Sequence, residues 1–282
     1  MIKVHLDCFP CFLKQSIISL RLGTKDEGLQ ETILKSVLIE IQNADLSRPP
    51  AYTTTFIHRK IRQLIGKDPF EEIKSEYNKV ALSLYPSLKS IVEKSSDPLW
   101  TGARLAIAGN VIDFGIFASV DIEGSINRAL NSPLAVDDYN SFKKALYEKS
   151  NILYLIDNAG EIVFDRLLIE VLISMGKKVT AVVKGSPVIN DATIEDAFEA
   201  GITEICDVTD NGSDAIGTIL NCSSPSFQEI FRESQLVISK GQGNFETLTG
   251  SEKKIFFLFQ SKCDVVSKEL GLSTGSMLLK KS

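Results

Sequence analysis

The chain has 282 residues, 44% hydrophobic and 24% charged, with 31 basic against 36 acidic side chains and a net charge of −5. These are globular proportions, and the length can bury a core that needs neither disulfides nor a structural metal. No Lys/Arg block marks a nucleic-acid or membrane-surface partner, and no apolar run approaches the roughly 20 residues of a membrane span. A small anionic substrate stays open, because a site can be locally basic on an acidic protein. The opening M-I-K-V-H-L-D-C has an acid and a histidine where a signal peptide has an apolar run, and five cysteines is an odd number. Both point to a reduced, cytoplasmic protein.

In chain order, helical spacing of apolar residues comes first. Phe12 to Leu22 reads as a helix ending near Gly23, and Leu29 to Ile41 as a second ending before Pro49-Pro50. Thr53 or Thr54 is expected to cap a helix over Phe56 to Ile65, with Gly66 as its stop. Asp68-Pro69 and Asp97-Pro98 are start signals for two more helices, the first interrupted at Pro86 and the second containing Arg104.

From Asn151 the period changes. Apolar runs at Ile152–Ile156, Val179–Val183, Glu204–Val208, Leu236–Ile238 and Lys254–Phe259 alternate with helical stretches at Ile162–Met175, Asp191–Ala200, Ser226–Glu233 and Val265–Leu270. This alternation implies a parallel sheet covered on both faces, a three-layer α/β/α doubly wound fold. The expected division is a helical N-terminal domain over 1–95 and an α/β domain over 96–282, with a soft boundary between about 95 and 150.

In such a sheet ligands bind beyond the carboxyl ends of the strands. Asp157-Asn158 follows the first run, Lys184-Gly185 and then Asn190-Asp191 the second, and Lys240-Gly241-Gln242-Gly243-Asn244 the fourth. Asp157, Asn158 and Asp191 offer hard oxygen ligands, and without His or Cys these favour Mg²⁺ or Mn²⁺. Asp191 can equally be a helix cap. Lys240 is the leading phosphate contact, because Gly241 and Gly243 let backbone N–H groups approach an anion; Lys184 sits in a similar setting. The G-x-G lacks the third glycine of a dinucleotide fingerprint.

These segments carry a resemblance. D-N-A-G-E at 157–161, K-G-S-P-V-I-N-D at 184–191 and S-K-G-Q-G-N-F-E at 239–246, with A-G-N-V-I-D-F-G at 108–115 and D-C-F-P-C-F at 7–12, resemble the metal-dependent damage-control phosphatases, in particular their prokaryotic branch. The resemblance covers essentially the whole chain. It implies a divalent metal on Asp157, Asn158 and Asp191 and a phosphate monoester substrate. It also implies phosphate contact by Lys240, with Glu161 and Asn244 lining the site. Asn110 and Asp113, three residues apart and so on one helix face, are favoured as substrate-side residues by that resemblance alone; otherwise they belong to a helix end stopped by Gly109 or Gly115.

Cys8 and Cys11 form a C-x-x-C, but Cys206, Cys222 and Cys263 supply no second close pair. Packing of small side chains competes there with a metal or redox role. The leading expectation is a metal-dependent phosphatase acting on a small phosphorylated metabolite. The rivals are an S-adenosylmethionine-dependent methyltransferase, which the missing glycine-rich loop after the first strand disfavours, and a non-catalytic metabolite-binding regulator.

Overall fold

The computed structural model describes residues 2–111 and 122–282. Among these residues six helices come first: α1 (Cys8–Gly23), α2 (Glu27–Gln42), α3 (Pro50–Ile65), α4 (Glu71–Glu93), α5 (Pro98–Val111) and α6 (Ile122–Asn131). Strands then alternate with helices: β1 (Val136–Asp137), α7 (Tyr139–Glu148), β2 (Asn151–Leu155), α8 (Glu161–Ser174), β3 (Lys178–Val183), α9 (Ile194–Glu199) and β4 (Asp207–Asp210). The chain closes with α10 (Pro225–Glu233), β5 (Val237–Lys240), α11 (Gln242–Leu248), β6 (Ile255–Gln260), α12 (Asp264–Glu269) and β7 (Met277–Lys281). Among the described residues, no helix is long and apolar enough to cross a membrane.

Several boundaries depart from the sequence expectation for local reasons. Helix α3 begins six residues early, at Pro50, a residue whose fixed φ and missing N–H suit a first helical position. The hydroxyls of Thr54 and Thr55 bond to carbonyls within the helix instead of capping it. Pro86 lies inside α4 without ending it. Ala81, Leu88 and Val92 bury that helix against the core, which offsets the one backbone bond proline cannot make. Residues Ile205 and Cys206 turn back onto the Ile202 carbonyl, so the third expected strand starts at Asp207, not Glu204. The last strand was not legible as one: β7 runs antiparallel to β6, pairing Leu279 with Leu258, and parallel to the short β1.

The sheet order is β1-β7-β6-β5-β2-β3-β4. Side chains alternate across it with period two. Ile152, Tyr154 and Ile156 face one layer with Phe256 and Leu258, packed by α4, α5, α7 and α8. Leu153 and Leu155 face the other with Ile255, Phe257 and Phe259, packed by α1, α2, α3 and α10 to α12. The fold is therefore three-layered α/β/α, as the alternation implied. Each apolar cluster draws side chains from both sides of the 95/96 boundary.

This topology positions the site. From β2 the chain steps outward through β3 to β4, then returns to β5 on the other side of β2. The loops after β2 and β5 diverge at that reversal and leave a crevice, the usual place for a ligand in an open α/β sheet.

Candidate functional site

Asp157 and Asn158 continue from β2 into the crevice, and Asn190-Asp191 arrives from β3. Backbone bonds lock the two loops together: Ala159 N–H donates to the Asn190 carbonyl (2.9 Å) and Ala192 N–H to the Asp157 carbonyl (2.9 Å), with a bridge pairing Asn158 and Asp191. Ile189, just before them, holds φ at 45°, a strained value for a β-branched residue. Helix α9 is capped by Thr193, whose hydroxyl and N–H both donate to Asp196 (2.9 and 2.8 Å). Thr193 and not Asp191 is therefore the cap, and the Asp191 carboxylate lines the crevice beside Lys184.

From the other side, Gly241 brings β5 against Asp157. Its φ is +80°, and a Cβ there would overlap the Asp157 carboxylate. Glycine is required at this point both for backbone conformation and for space. Asn110 reaches in from α5. Its Nδ2 donates to Asp157 Oδ2 (3.3 Å) and Glu161 Oε2 (2.9 Å), and its Oδ1 accepts from Gln260 N–H (3.1 Å). Gly109 is not a stop but lies inside α5, where a Cβ would come within 2.9 Å of the Phe164 Cβ. Asp113 lies outside the described residues. Arg104 serves packing: it donates to the Ala129 and Ser132 carbonyls and stacks over Trp100.

These side chains open into a cavity of about 310 Å³. Asp157, Asn158, Asp191 and Asn110 line it, with Lys262, Gln242, Gly243, Glu246, the start of α3, and Cys8, Cys11 and Cys263. Asp157 is pushed well above the usual carboxylate range by burial, reinforced by the nearby Glu161 and Asp191 charges. Burial raises Asp191 as well, against Lys184.

Four sequence assignments need correction. Lys240 does not face the cavity. It is completely buried beneath it, and its ammonium donates to the Ala106 carbonyl (2.8 Å), Glu161 Oε1 (2.6 Å) and Asp165 Oδ1 (2.6 Å). Those bonds use all three of its hydrogens, so none is left for a phosphate. Burial alone would weaken this ammonium, but Asp165 and Glu161 outweigh it and hold its pKa above that of a free lysine. Lys184 is equally committed. It donates to the Ala215 (2.8 Å) and Gly217 carbonyls and lies 3.3 Å from Asp191 Oδ2. It faces a separate cavity of about 560 Å³ whose walls include Asp68, Glu71, Glu195 and Glu199, a poor setting for an anion. The Gly241 N–H bonds the Leu258 carbonyl (3.3 Å) and is not presented to a ligand. Asn244 is buried under the loop, donating to the Lys240 carbonyl (2.8 Å) and accepting from Thr218 (2.7 Å).

Glu161 forms the floor. Its Oε2 accepts from Asn110 and from Asn158 Nδ2 (3.1 Å), and Asn158 Nδ2 also donates to Asp157 Oδ2 (2.8 Å). With its amide nitrogen committed to these carboxylates, Asn158 directs Oδ1 away from them. The cation on the cavity wall is Lys262, after β6, and its charge acts to lower the Asp157 pKa. Sequence reasoning missed it because its run, Gln260-Ser261-Lys262-Cys263, lacks glycines and acids. It also left out Glu246, whose buried carboxyl is raised to about 7, and gave the C-x-x-C no place in the site. Cys8 and Cys11 lie in the wall, with thiols raised by burial. Among the described residues no three His, Cys, Asp or Glu side chains are grouped so as to hold an ion.

An open α/β sheet with a polar, acid-lined cavity at its switch point has the layout of a small-molecule enzyme. Comparisons with known proteins sharpen that class. The model of the damage-control phosphatase ARMT1-like domain matches residues 4–278. A damage-control phosphatase from Archaeoglobus fulgidus is 36% identical over 287 residues, covering 99% of both chains. The crystal structure of a DUF89 family protein (PH1575) from Pyrococcus horikoshii superposes with a TM-score of 0.91 at 31% identity, covering 100% of this chain and 99% of that one. Its sequence is named a damage-control phosphatase. The chain belongs to the ARMT1-like damage-control phosphatase family, and its relatives' names support a phosphatase role.

Proposed function

We propose that the cavity hydrolyses small phosphate monoesters, such as sugar phosphates or phosphorylated and damaged metabolites, with a divalent cation, Mg²⁺ or Mn²⁺, held by Asp157, Asn158 and Asp191. The observation that carries the reading is Asp191 Oδ2. It is buried on the cavity wall, and its near cation is the Lys184 ammonium, 3.3 Å away, which also donates to the Ala215 and Gly217 carbonyls. One ammonium shared with two carbonyls leaves the neighbouring buried carboxylates Asp157 and Asp191 short of positive charge, which a bound cation would supply. Charge supports the same fit: the buried carboxyls Asp157, Glu161, Asp165 and Asp191 face the buried ammoniums of Lys184 and Lys240, leaving two formal negative charges. The donor set is all oxygen, two carboxylates and an amide, which suits a hard ion that keeps water and substrate as further ligands.

When bound, such an ion supplies Lewis-acid polarisation of the phosphoryl group. The protein's own residues do the rest. Lys262 holds the phosphate oxygens from the wall and stabilises charge that grows on them. Glu161 and Asn110 keep Asp157 and Asn158 in one orientation, and Lys240 neutralises Glu161 from below. Phe12, Ile189, Ile216 and Val265 give the rest of the cavity an apolar lining that shields the reacting groups from bulk water.

Phosphate release from p-nitrophenyl phosphate and a panel of sugar phosphates tests this. Activity should vanish on chelation with EDTA and return with Mg²⁺ or Mn²⁺. Undiminished release after thorough chelation overturns the metal reading. Metal-dependent metabolite binding without any release would favour the regulator.

A further inference from the structure

We infer that Gln242 and Glu246 form a strut that positions Lys262, and that Gln242 acts on the reaction only through it. The inference rests on the proposed role of Lys262 as phosphate contact.

Lys262 is the exposed residue in the turn between β6 and α12, flanked by the buried Ser261, which is tied to Ser276 and Gly275 by backbone bonds, and by Cys263 at the start of α12. Its backbone N–H donates to Gln242 Oε1 at 2.7 Å. The other arm of that amide, Nε2, donates to Glu246 Oε1 (2.8 Å) and reaches Cys263 Sγ (3.4 Å). Glu246 Oε2 in turn accepts from the Ala51 N–H at the start of α3 (3.3 Å). One continuous chain of hydrogen bonds therefore runs from the first turn of α3, through α11, to the backbone of the loop that carries the cavity's cation.

The chemistry of each link suits a fixed strut. A primary amide donates and accepts on opposite arms, so Gln242 alone can bridge a carboxylate and a backbone N–H. Glu246 is almost fully buried and holds its place with one oxygen on a helix N-terminus, where an acceptor is favoured. Gln242 is the first residue of α11, directly after Gly241, the residue that Asp157 abuts. The strut thus ties the Lys262 loop to the same turn that fixes the acidic end of the site. A cation that must meet a phosphate held at Asp157 and Asp191 gains most from such a shared reference, since misplacement of a charge by about 1 Å can cost about 10²-fold.

The test is a double-mutant cycle on Gln242→Met and Lys262→Met, read as kcat/KM for p-nitrophenyl phosphate at saturating Mn²⁺. Gln242→Met should lower kcat/KM about tenfold in the wild-type background, for the loss of one backbone tether, and by less than about twofold once Lys262 is Met. Gln242→Asn keeps an amide but is one methylene too short to bridge, and should behave like Gln242→Met; melting curves identify any variant that fails to fold. Equal losses in both backgrounds, or no loss in either, would overturn the strut. So would a silent Lys262→Met, since nothing would then be positioned. The same cycle read calorimetrically as the Kd of inorganic phosphate does not need turnover. An enzyme that released no phosphate, yet showed the cycle in phosphate binding, would sink the phosphatase reading and leave the strut standing.

Discussion

Two lysines, Lys240 and Lys262, divide the site into a floor and a wall. Lys240 is sealed under the crevice, satisfied by two carboxylates and a carbonyl. Lys262 is exposed on the cavity wall, and its position is set through its backbone. The same side chain in the two places does different work. The buried ammonium fixes the acids above it and is unavailable to a ligand; the exposed one is available and must be held in place. Exposure and partner saturation, not residue type, separate a positioning charge from a binding charge.

The largest effect is expected at Asp191, an acid paired with Lys184 and with neither of these two lysines. Asp191→Ala removes one of only two carboxylates proposed to hold the ion. Phosphate release should fall below detection and calorimetric titration should show metal binding lost, while the melting curve stays cooperative. A variant that binds metal and turns over like wild type would remove Asp191 from the site.

The lysines themselves should fail in opposite ways. Lys240→Met strands Glu161 and Asp165 without their counter-charge, so denaturant unfolding should show a loss of about 3–5 kcal/mol. Lys262→Met should leave stability within about 0.5 kcal/mol of wild type, as for other surface changes. It should cut kcat/KM by about 10²–10³-fold, the scale of one lost charge-stabilising donor. Equal stability losses in the two variants would erase the distinction between floor and wall.

A second buried group, without a counter-charge, behaves differently from Lys240. His58, in α3, has one ring nitrogen 3.1 Å from the Ser19 hydroxyl, while Nε2 has no partner. Burial pushes its pKa down from 6.5 to about 3. The folded state therefore resists a proton that the unfolded chain accepts below about pH 6.5. Its contribution is complete above that pH and is lost as pH falls toward 3, by about 1.4 kcal/mol per pH unit. Stability measured from pH 7 to pH 5 should decline in wild type and decline less in His58→Leu. Identical slopes would show that His58 is not the group responsible.

Much of this protein was legible in its sequence for reasons that are local. Short continuous apolar runs specify strands buried on both faces, and the β2, β3, β5 and β6 positions follow from them within a few residues. Gly66 ends α3 in the left-handed conformation, and Asp97 caps α5 through the Trp100 N–H, as residue type alone demands. Because ligands gather at strand ends, Asp157, Asn158 and Asp191 could be placed at one edge before any contact was known. What the sequence could not decide is which way a side chain turns once elements far apart in the chain meet. Lys240 finds Glu161 and Asp165 across separations of 79 and 75 residues, and in a buried setting their charges outweigh its exposure to any ligand. Lys262 and the C-x-x-C enter the cavity wall only because β6 and α1 are brought beside the switch point. Local pattern determines the elements and their ends; burial and charge pairing between distant elements determine which of the residues at those ends are left to act.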